Sequence, residues 1–196
     1  MADDLLADDA LIALVRRYVR LRDAEAAQIS AAWGRARTYE PGDRLLTPGR
    51  VCRALYFMDE GYARFYTETP DGLDVTRHFV LPGLLFTVST SFASALPARE
   101  GLQVLTASRV RQLSTEANAA LMAASPTWGL FRQAYIRAVY AYLDDALDAA
   151  RYLSAKERYA AFARDYPSLL LHVPLRYVAS YLGMTPQSMS RVRAQV

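Results

Sequence analysis

Hydrophobic residues near the N-terminus have helical spacing. Apolar positions from Leu11 to Val19 share one helix face, and Asp23 resembles the N-cap of a second helix that runs to Trp33. From Arg37 the pattern changes to short β-prone runs separated by turn signals. The chain is therefore expected to begin with helices and to continue as β structure.

The β region has the turn spacing of a compact all-β unit. Asp71-Gly72 predicts the turn of a hairpin, and two further strands are expected near residues 102–106 and 110–114. Many short strands at even spacing are typical of a barrel or jelly roll. The predicted fold class is α+β: N-terminal helices and a double-stranded β-helix (jelly-roll) barrel, then a long helix and a C-terminal helix-turn-helix.

A long amphipathic helix follows the barrel. After a short helix from Thr115 to near Pro126, helical spacing continues from about Thr127 to Leu153. One apolar stripe contains Phe131, Tyr135, Val139, Tyr142, Ala146 and Ala149, and a second flank contains Leu130, Ile136, Leu143, Leu147 and Ala150. A helix that is apolar on two sides needs two partners.

We expect one partner of the long helix to be the chain's own barrel and the other to be the same helix of a second subunit, related by a two-fold axis. The predicted dimer interface consists of Phe131, Tyr135, Val139, Tyr142 and Ala146. A central helix that is buried within one monomer is the alternative left open by the pattern.

The C-terminal stretch predicts two short helices joined by a tight turn. Ala179 lies four residues before Gly183, where the helices approach closely and glycine can end the first one with a positive φ angle. Thr185 can cap the second helix, and Pro186 suits its first position. Such a motif is typical of a DNA-binding helix-turn-helix.

The second helix of this motif carries hydrogen-bonding side chains on the face away from the core. Met189 and Val192 point inward, and Gln187, Ser188 and Arg191 lie opposite. A plain helical hairpin is the alternative, but it does not require the small residue, the glycine and the cap together. The predicted DNA-binding residues are Arg176, Thr185, Gln187, Ser188, Arg191 and Arg193.

Charge is distributed unevenly. The net charge is +3, yet from Ser154 onward six basic residues stand against two acidic ones, which places the nucleic-acid-facing part at the C-terminus. Ser154 and Glu157 form a capping-box pattern, so a new helix starts directly after the long one. We predict an effector barrel over residues 1–126, a dimerisation helix over 127–153 and a DNA-binding domain over 154–196.

Composition argues against several functions. The chain is 53% hydrophobic and 22% charged, enough for a sizeable core. One cysteine, Cys52, excludes an internal disulfide and a multi-cysteine zinc or iron–sulfur site built from this chain alone, and the presence of just two histidines, His78 and His172, argues against a metal centre. Cys52 is expected in the core and His78 as a hydrogen-bonded surface or core residue. Without a signal peptide, membrane-spanning run or catalytic constellation, we expect a cytoplasmic protein that is no enzyme and has no cofactor.

The order of elements and several local sequences resemble the Crp/Fnr family of bacterial transcription regulators. The matching stretches are Glu40-Pro-Gly-Asp43, Pro48-Gly-Arg-Val-Cys-Arg-Ala-Leu-Tyr-Phe57, Glu60-Gly61, Asp71-Gly72 and residues 177–191. The resemblance implies a homodimer that binds palindromic double-stranded DNA and recruits or obstructs RNA polymerase. It also implies that Gln187 and Arg191 reach base edges, where glutamine suits adenine and arginine suits guanine. Pro186 stands where some members carry a second arginine.

The effector site departs from the family's pattern. The family uses a Gly-Glu pair for the ribose hydroxyl of a cyclic nucleotide and an Arg-Ser/Thr pair for its phosphate. An ungapped match places Thr87-Val88 and Ala98-Arg99 at these positions. Valine accepts no hydrogen bond, and a shift by one position turns an arginine to the other strand face. We expect no response to cyclic nucleotide, and interpret the hydroxyl side chains at Ser89–Ser91 as an ordinary turn.

The sequence thus predicts a dimeric, non-enzymatic transcription regulator. The alternative is a ligand-binding or protein-docking barrel whose helical tail no longer reads DNA, because the end at Val196 leaves no room for a β-hairpin wing. Whether another small molecule acts as effector is left open, as are the operator, the regulated genes and the direction of regulation.

Overall fold

The structure, a computed structural model, describes residues 9–69 and 71–194. Within these residues, two helices are followed by eight strands with one short helix among them, and then by six helices. The first part comprises α1 (Ala10–Arg16), α2 (Asp23–Trp33), β1 (Arg37–Tyr39), β2 (Arg44–Leu46), β3 (Ala54–Glu60), β4 (Ala63–Glu68), β5 (Asp74–Val80), β6 (Leu85–Phe86), α3 (Ser89–Ser94), β7 (Gly101–Val104) and β8 (Ser108–Ser114). The second comprises α4 (Thr115–Ala124), α5 (Pro126–Tyr152), α6 (Ala155–Asp165), α7 (Pro167–His172), α8 (Leu175–Tyr181) and α9 (Pro186–Arg193).

The strands form two antiparallel four-stranded sheets, with orders β1-β8-β3-β6 and β2-β7-β4-β5. Alternate residues of each strand point to opposite faces. In β3, Tyr56 and Met58 face the interior between the sheets, whereas Leu55 and Phe57 face the helices outside. The predicted α+β fold class with a jelly-roll barrel and a long helix is confirmed, and the hairpin around Asp71-Gly72 joins β4 to β5.

Three local features of the helices differ from the predictions. The first helix ends at Arg16, before the predicted Val19. The N-cap of α2 is Arg22 and not Asp23, and the Glu25 carboxylate accepts the Arg22 backbone N–H at 3.2 Å. Ser89 to Ser91 begin helix α3 and do not form a simple turn.

A buried charge cluster ties the N-terminus to the barrel. Arg111 in β8 is only 8% exposed, and its guanidinium donates to Asp9 Oδ1 at 2.8 Å and to Asp59 Oδ2 at 3.0 Å. Asp9 also accepts the Ser30 hydroxyl at 2.7 Å. Burial alone would raise the pKa of Asp9, but the hydrogen bonds from Arg111 and Ser30 outweigh it and lower the pKa.

The start of helix α5 belongs to the core of its own chain. Trp128 and Phe131 are fully buried, and Trp128 packs edge-on against Trp33 with ring centroids 6.0 Å apart. The Tyr135 hydroxyl donates to the Leu85 carbonyl at 2.8 Å and accepts the Leu85 N–H at 3.1 Å. The prediction that Phe131 and Tyr135 lie in a dimer interface is therefore wrong, because the barrel and the N-terminal helices already cover them.

The rest of α5 has a broad face that no other part of the described chain covers. Ile136, Val139 and Leu147 are 44%, 37% and 46% exposed. A broad apolar face left exposed on a long helix is typical of an interaction surface.

No helix within residues 9–69 and 71–194 is long and apolar enough to span a bilayer.

Candidate nucleic-acid interface

Two short helices and a tight turn form at the C-terminal end as predicted. Helix α8 ends in a Schellman motif: the N–H groups of Gly183 and Met184 donate to the carbonyls of Ser180 and Ala179 at 3.1 and 2.9 Å. Gly183 has φ +68°, a conformation that side chains with a Cβ rarely adopt. The turn then leads into α9, whose N-cap is Thr185.

The inward residues of the motif lie where the spacing predicted. Ala179 is 1% exposed and Met189 is 2% exposed, and both belong to one core cluster with Phe162 and Leu182. Val192 packs partly buried against the same cluster. A residue larger than alanine at position 179 would separate α8 from α9, since interiors are close-packed.

The predicted DNA-binding residues divide into two groups. Arg176, Gln187, Arg191 and Arg193 are exposed. Thr185 and Ser188 instead form the cap of α9: Thr185 Oγ1 accepts the Ser188 N–H at 3.1 Å and donates to the Ser188 hydroxyl at 3.0 Å. Arg191 and Arg193 have no ion pair with any residue that the structure describes. The exposed side chains of α9 thus include an amide and two guanidinium groups, which suit base edges and phosphates.

The junction between α5 and the C-terminal helices is fixed by one arginine. Ser154 and Glu157 form the predicted capping box, with the Ser154 N–H donating to the carboxylate at 2.8 Å. Arg158 donates to the carbonyls of Leu153 at 2.7 Å and Leu182 at 3.1 Å. It therefore joins the end of the long helix to the end of α8. Sequence reasoning missed this residue, since an arginine in the first turn of a helix gives no signal of such distant acceptors.

The barrel interior is filled at the predicted effector site. Val88 and Ala98 are buried in the same apolar cluster as Tyr56 and Phe86. Tyr56 and Phe86 stack with ring centroids 5.4 Å apart, and Phe65 meets Phe86 edge-on at 6.4 Å. Aromatic rings of the chain thus occupy the space between the sheets beside this site.

The polar members of the predicted effector site do not converge on a cavity. The Thr87 hydroxyl donates to the Ala54 carbonyl at 2.8 Å. Arg99 is exposed and has no ion pair in the described part of the chain. The structure brings Val88 and Ala98 together, and it places the guanidinium of Arg99 outside the apolar cluster that contains them.

The structure agrees with the prediction for Cys52 and differs from the prediction for His78. Cys52 is buried beside Tyr56, as predicted. His78 was expected to be hydrogen-bonded, but its buried Nδ1 has no partner among the described residues, and its ring meets Phe65 edge-on at 6.1 Å. Burial lowers the pKa of His78. For this nitrogen the expectation is not met: His78 lies opposite Phe65 in the sheet, and the phenyl ring offers no hydrogen-bond acceptor for Nδ1.

Comparison with known proteins shows which fold the barrel has. Residues 36–125 match the family model of the cyclic nucleotide-binding domain. The barrel has the fold of that domain. No curated protein sequence matches the chain. Among solved structures, FixK2 from Bradyrhizobium japonicum is similar with a TM-score of 0.72 and 19% identity over 82% of each chain.

Two further structures extend the similarity over more of the chain. The c-di-GMP-responsive global regulator CLP of Xanthomonas campestris has a TM-score of 0.70 and 16% identity, covering 89% of this chain and 91% of its own. The catabolite activator protein of Thermus thermophilus has a TM-score of 0.58 and 20% identity, covering 91% and 84%. At these identities the similarity shows a common fold that extends beyond the cyclic nucleotide-binding domain.

Proposed function

We propose that this protein is a dimeric DNA-binding transcription regulator of the Crp/Fnr type. The observation that carries the proposal is the exposed face of α9: Gln187 and Arg191 are both exposed, Arg191 has no ion pair within residues 9–69 and 71–194, and a complete cap and turn precede them. Similar solved structures include a catabolite activator protein and a global regulator that links cell-cell signalling to virulence gene expression. The proposal includes palindromic DNA and RNA polymerase as partners and the cytoplasm as location.

The proposed dimer forms through the uncovered face of α5. Val139, Tyr142 and Ala146 remain from the predicted interface, and Ile136, Leu143 and Leu147 lie beside them on the helix surface. Pairing of this face with its copy would bury side chains that are now exposed, and it would present two α9 helices to two half-sites. The domain boundaries after residues 126 and 153 are part of the same proposal.

The proposed regulator does not respond to cyclic nucleotide. Burial of a cyclic phosphate requires a cation in place, and burial of a ribose requires hydrogen-bond partners. Ala98 and Val88 stand at those positions, and both are buried in an apolar cluster. The proposal leaves room for another effector or for control through abundance.

Replacing Arg191 with alanine is expected to cost about 1–3 kcal/mol of discrimination at one base pair of each half-site. Arg191 is exposed, so the thermal stability of the variant should equal that of the wild type. Arg35→Ala, at an exposed arginine ahead of β1, is the control and should bind like the wild type. Unchanged affinity of Arg191→Ala for selected DNA would show that α9 is not the reading helix.

Cyclic AMP and cyclic GMP are expected to give no heat of binding in calorimetry up to millimolar concentration. DNA affinity should be the same with and without either nucleotide, because the barrel offers neither the cation nor the acceptor. Micromolar binding that disappears in Arg99→Ala would contradict this expectation. It would mean that the exposed arginine folds back to hold the phosphate.

A further inference from the structure

An arginine on the outer face of the barrel is almost completely buried. Arg64 lies in β4 between Ala63 and Phe65, which face the barrel interior, so its side chain points outward. An outward arginine is ordinarily solvated. Yet Arg64 is only 1% exposed.

The guanidinium of Arg64 is fully engaged by its own sheet. It donates to Asp74 Oδ1 at 2.6 Å, to Thr76 Oγ1 at 3.0 Å and to Gln103 Oε1 at 2.8 Å. These partners lie on the neighbouring strands β5 and β7. The planar fork is therefore held in one orientation by several acceptors, as arginine geometry allows and lysine geometry does not.

The open face of this guanidinium is covered by α8, the first helix of the predicted helix-turn-helix. The Tyr177 ring of α8 lies with its centroid 3.9 Å from the Arg64 guanidinium carbon, a close cation–π contact. Tyr66 of β4 is a second aromatic neighbour, at 5.1 Å. The fixed fork of Arg64 thus provides a flat platform on which α8 rests.

Contacts on either side of the platform hold the same helix. The backbone N–H of Thr76, on edge strand β5, donates to the Ser180 hydroxyl at 3.0 Å. Phe79 of β5 packs against Tyr181 with ring centroids 5.3 Å apart. Phe79 and Leu105 are only 8% exposed because they belong to the core cluster of the C-terminal helices. Helix α8 therefore closes a sheet edge and continues the core across it.

The packing of α8 against the barrel does not cover α9, the proposed recognition helix. Gln187 and Arg191 of α9 stay exposed while α8 lies on the barrel. Since α9 is joined to α8 by the rigid Schellman turn and the shared cluster, fixing α8 also fixes α9. In a dimer, docking on both barrels would set the distance between the two readers before DNA arrives, and such preorganisation lowers the entropy cost of binding.

We propose that Arg64 and Tyr177 are positioning residues for DNA reading, which hold the two recognition helices of the dimer at one fixed spacing. The inference rests on the proposed function and adds a determinant of operator geometry to it. Neither residue contacts a base. Both act through the orientation of α8.

The test measures affinity for operators whose half-site spacing is changed by up to two base pairs in either direction. Each added base pair moves and rotates one half-site, since a full turn takes about 10 bp. The wild type should lose about 10-fold or more in affinity at the altered spacings, as expected for rigid readers. Tyr177→Ala and Arg64→Met should bind the best spacing more weakly and should lose only about 3-fold between spacings, because mobile readers can adjust.

Matched variants separate positioning from general damage. Tyr177→Phe keeps the ring face and should behave as the wild type. Arg44→Met removes another arginine from the same sheet, one that stacks on Tyr66 at 5.6 Å and is not part of the platform, and should keep the steep spacing dependence. Affinity for a duplex with a single half-site should be equal in all variants, because the reading face itself is intact.

Hydrogen exchange without DNA gives a second measurement that stands apart from the proposed function. Amides at the end of α8 and the Thr76 amide should exchange faster in Tyr177→Ala than in Tyr177→Phe. Equal exchange in these two variants, or an equal spacing dependence in wild type and Tyr177→Ala, would overturn the inference. So would tighter DNA binding by Tyr177→Ala, since docking would then hold the readers away from DNA. A wild type that binds no DNA would refute the proposed function, and exchange would still decide whether the platform holds α8.

Discussion

An aspartate at Val139 is expected to separate the protein into monomers and to weaken operator binding roughly 100-fold or more, since two linked half-sites gain that much over one. Val139 lies in the uncovered apolar face of α5 and is 37% exposed in the single chain. In the proposed dimer the new carboxylate would be buried without a partner. Light scattering measures the assembly, and titration of selected DNA measures the affinity.

Ala141→Asp is the matched control for this change. It adds the same carboxylate two residues later, about 160° away around the helix, on a face that already carries acidic side chains. It should remain dimeric and bind DNA. A wild type that scatters as a monomer at micromolar concentration, or a Val139→Asp variant that stays dimeric, would contradict the α5 interface.

Replacing Arg111 with methionine is expected to lower the free energy of unfolding by about 3–5 kcal/mol, the usual cost of removing one partner from a buried ion pair. The change leaves the carboxylates of Asp9 and Asp59 with side-chain exposures of 9% and 16% and without their cation. Denaturant unfolding at neutral pH measures the loss. Arg109→Met, in the same strand but in an exposed pair with Glu60 at 2.8 Å, should cost less than about 1 kcal/mol.

The effect of Arg111 should depend on pH in a defined direction. In the wild type the pKa of Asp9 lies below its usual value of 3.8, so its contribution to stability is present above that pH and is lost as the pH falls through the lowered pKa. Without Arg111 only the burial effect and the weaker hydrogen bonds remain, and the Asp9 pKa should rise. The stability difference between wild type and Arg111→Met should therefore narrow below about pH 4. A difference that is constant from pH 7 to pH 3 would show that the charge of Asp9 is not involved.

Local features of the C-terminal motif could be predicted because they depend on neighbours in sequence. A glycine with positive φ, a threonine cap and inward residues at helical spacing each act within one or two turns, and Gly183, Thr185 and Met189 all have the expected roles. The capping box at Ser154 follows the same logic. Such residues specify local structure independently of the tertiary contacts that the rest of the chain makes.

Periodicity located the apolar stripe of α5 but did not say which neighbour covers each part of it. Phe131 and Tyr135 repeat at the same spacing as Val139 and Tyr142, yet the first two are buried in their own chain and the last two are partly exposed. The difference arises from the N-terminal helices and the barrel, which pack only against the start of α5. An apolar stripe shows that a helix face needs a partner, but it does not identify that partner.

The sequence pattern did not indicate that Arg111 and Arg64 are buried. Arg111 and its partner Asp9 are separated by 102 positions, and Arg64 and Gln103 by 39. Tyr177 lies on another element altogether. On a β-strand pattern an outward arginine predicts a solvated position, and only the tertiary fold shows that a helix covers it.

Selection of bound duplexes from a random DNA pool, followed by titration of the enriched sequence at increasing salt, tests the central claim most directly. The account predicts palindromic half-sites whose centres lie about 10 bp apart or a multiple of that, and an affinity that falls steeply with salt. A pool that shows no enrichment, with binding to mixed-sequence DNA absent at low salt, would contradict the account and favour a barrel that acts without reading DNA.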